Sequence, residues 1–239
     1  MSTSIAIQQT PSAQVRQAPR MSINSLAKYW DTSSPLKRLT ILRGQKFPKD
    51  YIVSWYKDSM DPISDFLTDP NHDTSIITGA ISVIRAKPAL NDHQESVKDV
   101  NVQALRLFLS GIQNFPLGDY DFQRKDNQAP HSTINGLSIS VRPEFELIYR
   151  GTGNRLGALK LYFSKSDPLS VDAGAMVAMV VKQHTERHNA TQERVNHRHC
   201  FVIDVFANNI HVGPQATAQR RNSLTAACDE IVARWPSIT

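Results

Sequence analysis

Residues 137–166 read LSISVRPEFELIYRGTGNRLGALKLYFSKS, and the fold turns on this stretch. Ser138, Ser140, Arg142, Glu144 and Glu146 sit among Ile139, Val141, Phe145 and Leu147 in near-strict alternation. A period of two marks a half-buried strand, because successive side chains leave a strand on opposite faces. Gly151, Gly153 and Asn154 tolerate positive φ, as a chain reversal requires. The run Ala158-Leu-Lys-Leu-Tyr-Phe163 predicts a second strand, apolar except for Lys160. The expectation is a hairpin with two carboxylates on one strand and a lysine in the middle of the next.

Working outward, Asp92 to about Ile112 predicts a long helix capped by Asn91 or Asp92 and closed by Gly111 and Pro116. Residues 117–134 read as a polar connector. After the hairpin, Ser166-Asp-Pro168 opens a helix to about His188, apolar almost all round through Leu169, Val171, Ala175, Met176, Met179 and Val180. Asn189 to Arg198 is a polar linker. The dense run His199-Cys-Phe-Val-Ile-Asp-Val-Phe206 predicts a strand buried on both faces, with Ile210-His-Val212 as a short partner. Asp204 within it needs a partner, either Lys160 or a backbone cap. A last helix runs from about Ala216 to Trp235, ahead of Pro236. Helix, strand, strand, helix, strand, short strand, helix is the order of an α/β fold, a mixed sheet flanked by helices.

Three divisions follow. Residues 1–20 contain no acid and read as a disordered tail, although a transit peptide has a similar composition. Residues 21–90 form an N-terminal helical region broken by prolines. Ser22 or Asn24 caps a first turn, and Ser34-Pro35 starts a second piece. Tyr51–Tyr56 is helix or strand, ended by Asp61-Pro62, and Ser75 to Ala86 is helical. Residues 91–239 form the α/β domain.

The 239 residues are 40% hydrophobic and 21% charged, which places them among ordinary globular chains. No apolar run approaches the ~18 residues that span a bilayer, so no membrane is expected. Two cysteines, Cys200 and Cys228, are too few for a disulfide scaffold, and a reducing cytoplasm is the expected setting. A net charge of +5 fits an anionic partner such as nucleic acid. Lys37, Arg38, Arg43 and Lys46 form a basic cluster ahead of Trp55 and Tyr56. Such a set is suited to grip backbone phosphates and stack a base, although aromatics of this kind more often fill a core.

This order of elements resembles the core of the PD-(D/E)XK nuclease superfamily, over roughly Asp92 to Val212. Pro143-Glu144 resembles the family's Pro-acid element, and Lys160 the lysine of its acid-x-Lys triplet. Gln183 resembles the helix glutamine of the RecB-like branch. The resemblance implies a restriction-endonuclease-like core and a Mg²⁺- or Mn²⁺-dependent nuclease of bacterial or phage type, hydrolysing DNA or RNA phosphodiesters. Glu144 and Glu146 would bind the metal, Lys160 would stabilise the transition state, and Gln183 would position Lys160 or the phosphate. Phosphodiester hydrolysis calls for an oxygen-ligated divalent ion and a nearby cation. This chain departs from the pattern where the triplet reads Ala158-Leu159-Lys160. Glu146 is then the stand-in ligand, with Glu95 or Asp99 as further acids. Failing these, the same fold serves as a non-catalytic module that binds nucleic acid or a protein. Glu144, Glu146 and Lys160 also read simply as a strand face with a cross-strand ion pair.

His184 and His188 share a helix face, and with His197 or Cys200 they make up a candidate zinc set, although their spacing matches no common zinc motif. No P-loop, no GxGxxG and no nucleophile motif is present.

Overall fold

The computed structural model describes residues 15–48, 55–125, 131–188 and 194–239. In chain order, β1 (Arg20–Ser22) is followed by α1 (Ile23–Asp31), α2 (Pro35–Lys46), α3 (Lys57–Thr68), α4 (Thr74–Ala86) and α5 (Asp92–Gly111). Next come β2 (Tyr120–Arg124), β3 (Ser132–Ile134), β4 (Leu137–Ser140), β5 (Phe145–Tyr149) and β6 (Asn154–Tyr162). Then α6 (Val171–His188), β7 (Cys200–Asp204), β8 (Asn209–Val212) and α7 (Ala218–Arg234) complete the order. The helix starts follow from the sequence. Ser22, Ser34, Asp73, Asn91 and Thr217 each accept a backbone N–H of the first turn they cap. Each such cap is worth about 1 kcal/mol.

A five-stranded mixed sheet, ordered β2-β5-β6-β7-β8, forms the centre. β2, β5 and β6 are antiparallel, β6 and β7 parallel, and β7 and β8 antiparallel. The parallel step needs a crossover, which α6 supplies. Phe145, Leu147, Leu159, Leu161, Phe201 and Ile203 leave one face and pack with side chains of α3, α4 and α5. Ala158, Tyr162 and Val202 leave the other face toward α6, joined there by α1, β4 and α7. Helices therefore cover both faces, as the element order predicts. A fully buried Phe such as Phe108 or Phe145 contributes roughly 2–3 kcal/mol. Side chains from residues 21–90 enter both clusters, Leu26 and Leu42 in one and Ile63 and Phe66 in the other.

Three readings of the chain are corrected. The first strand of the expected hairpin is two strands in two sheets, since β4 belongs to a three-stranded sheet ordered β1-β4-β3. The break falls at Arg142-Pro143, where Arg142 has φ +44 and Pro143 has no N–H to give a ladder. The connector 117–134 contains β2 and β3, because Tyr120 and Phe122 are buried on alternate positions. Pro62 does not end a helix but lies inside α3, whose Ile63, Phe66 and Leu67 are buried; that burial outweighs the lost backbone bond.

Part of the expected tail carries contacts. The Arg16 N–H donates to Lys46 O at 2.9 Å, and Arg20 pairs with Ser138. Residues 1–14 of that tail, the Tyr51–Ser54 part of the aromatic run and residues 189–193 of the polar linker lie outside the described residues. No helix among the described residues is long and apolar enough to cross a membrane.

Candidate functional site

Lys160 stands on β6 between Ala158 and Tyr162, on the face turned to α6, and is 5% exposed. A lysine there needs acceptors for its ammonium group. The break between β4 and β5 supplies them: Lys160 Nζ donates to Arg142 O at 3.1 Å and to Glu144 Oε1 at 3.0 Å. Glu144 Oε2 accepts the Leu161 N–H at 2.6 Å, doing the work of a strand carbonyl just before β5 begins. The backbone is tied in as well, the Glu144 N–H donating to Leu159 O at 3.0 Å. Lysine and glutamate are thus locked together by the strand irregularity itself.

A cleft of about 290 Å³ opens beside the pair. Asn24 of α1, Lys57 and Asp61 of α3, Tyr56 and Phe163 complete its wall. Asn24 Oδ1 is buried with no hydrogen-bond partner among the described residues. Tyr56 stacks on Phe163 with ring centroids 5.2 Å apart, and Trp55 next to it is 40% exposed. Asn24, Lys57 and Asp61 escaped the reading of the sequence because they come from helices more than 80 residues before Glu144, with no motif to connect them.

Glu146 lies opposite Ala158 in the β5–β6 register, yet its carboxylate turns to other cations. Arg155 Nη1 is 3.2 Å from Oε2, and Lys125 Nζ is 3.6 Å from Oε1. Ala158, where the resemblance calls for an acid, is fully buried against the α6 layer. Gln183 is half-buried on α6, and no hydrogen bond among the described residues joins it to Glu144, Glu146 or Lys160. Glu95 and Asp99 are exposed on α5, where Glu95 pairs with Lys98. Lys160 and Glu144 are therefore brought together, whereas Glu146 and Gln183 bond elsewhere or to neither.

The basic cluster of α2 is engaged within the chain. Lys37 pairs with Asp167 at 2.9 Å, and Arg38 with Glu230 at 3.1 Å. Arg43 Nε donates to Thr239 O at 2.8 Å, and Lys46 Nζ donates to Trp235 O and Ile238 O, both at 2.9 Å. These side chains fasten α2 to the C-terminal segment and to the loop before α6.

The candidate zinc set is similarly occupied. His184 Nδ1 lies 2.9 Å from Ser132 Oγ, and burial pushes its imidazole down to about 4. His197 Nδ1 donates to Gly213 O at 2.7 Å, and burial pushes the Cys200 thiol up to about 12. Among the described residues, no group of three or more His, Cys, Asp or Glu side chains gathers at metal-ligand spacing. Asp204 takes the backbone-cap role. It accepts the Leu169 N–H at 2.8 Å and the Ala207 N–H at 3.1 Å, and burial raises its pKa.

No model of a known protein family matches the chain, and no curated protein does either.

Proposed function

We propose that this chain is a nucleic-acid-binding protein built on a nuclease-like core, one that holds phosphodiester strands without hydrolysing them. Support for the core comes from the order α5, β5, β6, α6, β7, a helix, two antiparallel strands, a helix and a buried strand, which is the order of the resemblance. The observation that carries the non-hydrolytic reading is the state of the two carboxylates. All four oxygens of Glu144 and Glu146 face a protein cation or backbone N–H. A Mg²⁺ or Mn²⁺ ion requires oxygen ligands of its own. With Ala158 in the acid position and both glutamates engaged, these residues do not fit such an ion, and we assign no step to it.

Binding is supported by the wall of the cleft. Lys57 and Tyr56 line it, Trp55 precedes Tyr56 in the chain and is 40% exposed, and cations with aromatic faces are the means by which proteins track single strands. The test is fluorescence anisotropy with labelled single- and double-stranded DNA and RNA, run beside a cleavage assay in Mg²⁺ or Mn²⁺. Salt-sensitive binding with intact strands is the expected result. Metal-dependent scission that disappears in both Glu144→Ala and Lys160→Ala, each shown by thermal melt to be folded, would make the pair catalytic and refute the non-hydrolytic reading.

A further inference from the structure

Bordering the β4–β5 break lies a second cleft, of about 490 Å³, walled by Arg16, Arg20, Arg142, Ser22, Ser140 and Gln45. Three guanidinium-bearing residues meet there, and among the described residues no carboxylate lines the cleft. We propose that this cleft is a phosphate seat, and, resting on the function proposed above, that its occupant is a backbone phosphate of a nucleic-acid strand.

Each arginine is placed differently. Arg16 lines the cleft, and its Nη1 donates to Gln45 O at 3.2 Å. Arg20 Nη2 donates to His131 Nε2 at 3.1 Å, and His131 Nδ1 is 3.0 Å from Ser138 Oγ. Because a guanidinium only donates, His131 Nε2 is the acceptor, so this imidazole is neutral and orients Arg20 without cancelling its charge. Arg142 is exposed, and no hydrogen bond or ion pair of its side chain occurs among the described residues. The three cations also act on their surroundings. Burial and then Arg20 lower the Arg16 pKa, and burial, then Arg20, Arg142 and Arg16, lower that of His131. A cluster of like charges held together by the backbone is relieved by an anion, and arginine's planar fork matches the oxygens of a phosphate.

The seat is joined to the first cleft through one residue. Arg142 lines the second cleft, while its carbonyl oxygen accepts from Lys160 Nζ in the first.

The experiment compares wild type, Arg142→Gln and Arg16→Gln, with thermal melts confirming that each variant folds. Arg142 is exposed and its carbonyl is retained, so Arg142→Gln removes the guanidinium and leaves the fold alone. Labelled oligothymidylate and inorganic phosphate are titrated separately over a range of salt. Expected is a loss of oligothymidylate affinity of about three- to tenfold in each variant, with the salt slope falling by roughly 0.7 per arginine. Oligothymidylate binding unaltered in both variants overturns the seat and leaves the proposed function standing. Inorganic phosphate bound by wild type and lost in Arg142→Gln, without oligothymidylate binding, supports the seat and refutes its nucleic-acid occupant. Binding of neither probe overturns the seat, and overturns the proposed function too when the duplex and RNA probes also fail to bind.

Discussion

At the scale of the residue, His184 gives the protein an acid limit. Its ring is 1% exposed, and burial holds its pKa near 4, so the folded chain keeps it neutral where an unfolded chain would protonate it. The unfolded state then binds more protons between about pH 6.5 and 4, and stability falls as pH drops through that window. Above pH 6.5 the contribution is fully present, and below about 4 nothing further is lost. The loss through this group is at most about 3–4 kcal/mol. Urea unfolding of wild type and His184→Gln at several pH values checks it, and the variant should show the flatter profile between pH 6.5 and 4. Lys160 illustrates a different device, a buried ammonium group partnered by a glutamate and a backbone carbonyl. Removing either partner strands the other in a poorly solvated position, and for that reason alone a loss of binding in Lys160→Ala is interpretable only with a folding control.

At the scale of the element, β6 is pressed against its neighbour at Gly157. A Cβ on that residue would lie 1.8 Å from His199 O, in the short 3₁₀ turn before β7, and neither backbone has a flexible end to move. Gly157→Ala should therefore cost about 2–3 kcal/mol, at the upper end of overpacking effects, read as a lowered urea midpoint with unchanged slope. The strands of this region were legible to different degrees. β5, β6 and β7 carry their own alternation or β-branched density, and their pairing follows from the Gly151–Asn154 reversal and the apolar crossover helix. The division between β4 and β5 was not legible, because polar and apolar residues keep alternating across Arg142-Pro143 while the backbone turns away. β2 was obscured by its exposed Asp121, Gln123 and Arg124, although Tyr120 and Phe122 mark its buried side. In the site, the Glu144–Lys160 pairing could be anticipated from strand order. The diversion of Glu146 to Lys125 and Arg155 could not, since both cations come from outside the motif.

At the scale of the whole molecule, the positive charge divides into two classes that composition cannot separate. Cations of α2 are spent on the chain's own carboxylates and carbonyls, whereas those around Arg142 face a cleft. Lys46→Ala should accordingly lower stability by about 1–2 kcal/mol while leaving oligonucleotide affinity within twofold of wild type, measured by chemical unfolding and anisotropy on the same preparation. The basic cluster was visible in the sequence, but its use was not, because Trp235 and Ile238 lie almost 190 residues further on. The small sheet has the same long reach: β1 runs parallel to β4, Arg20 beside Ser138. During synthesis on the ribosome, β1 emerges and must wait for roughly 120 more residues before its one strand partner among the described residues exists. At about 5–20 residues per second that interval is on the order of ten seconds. Met21, fully buried in the finished protein, is exposed to chaperones for all of it.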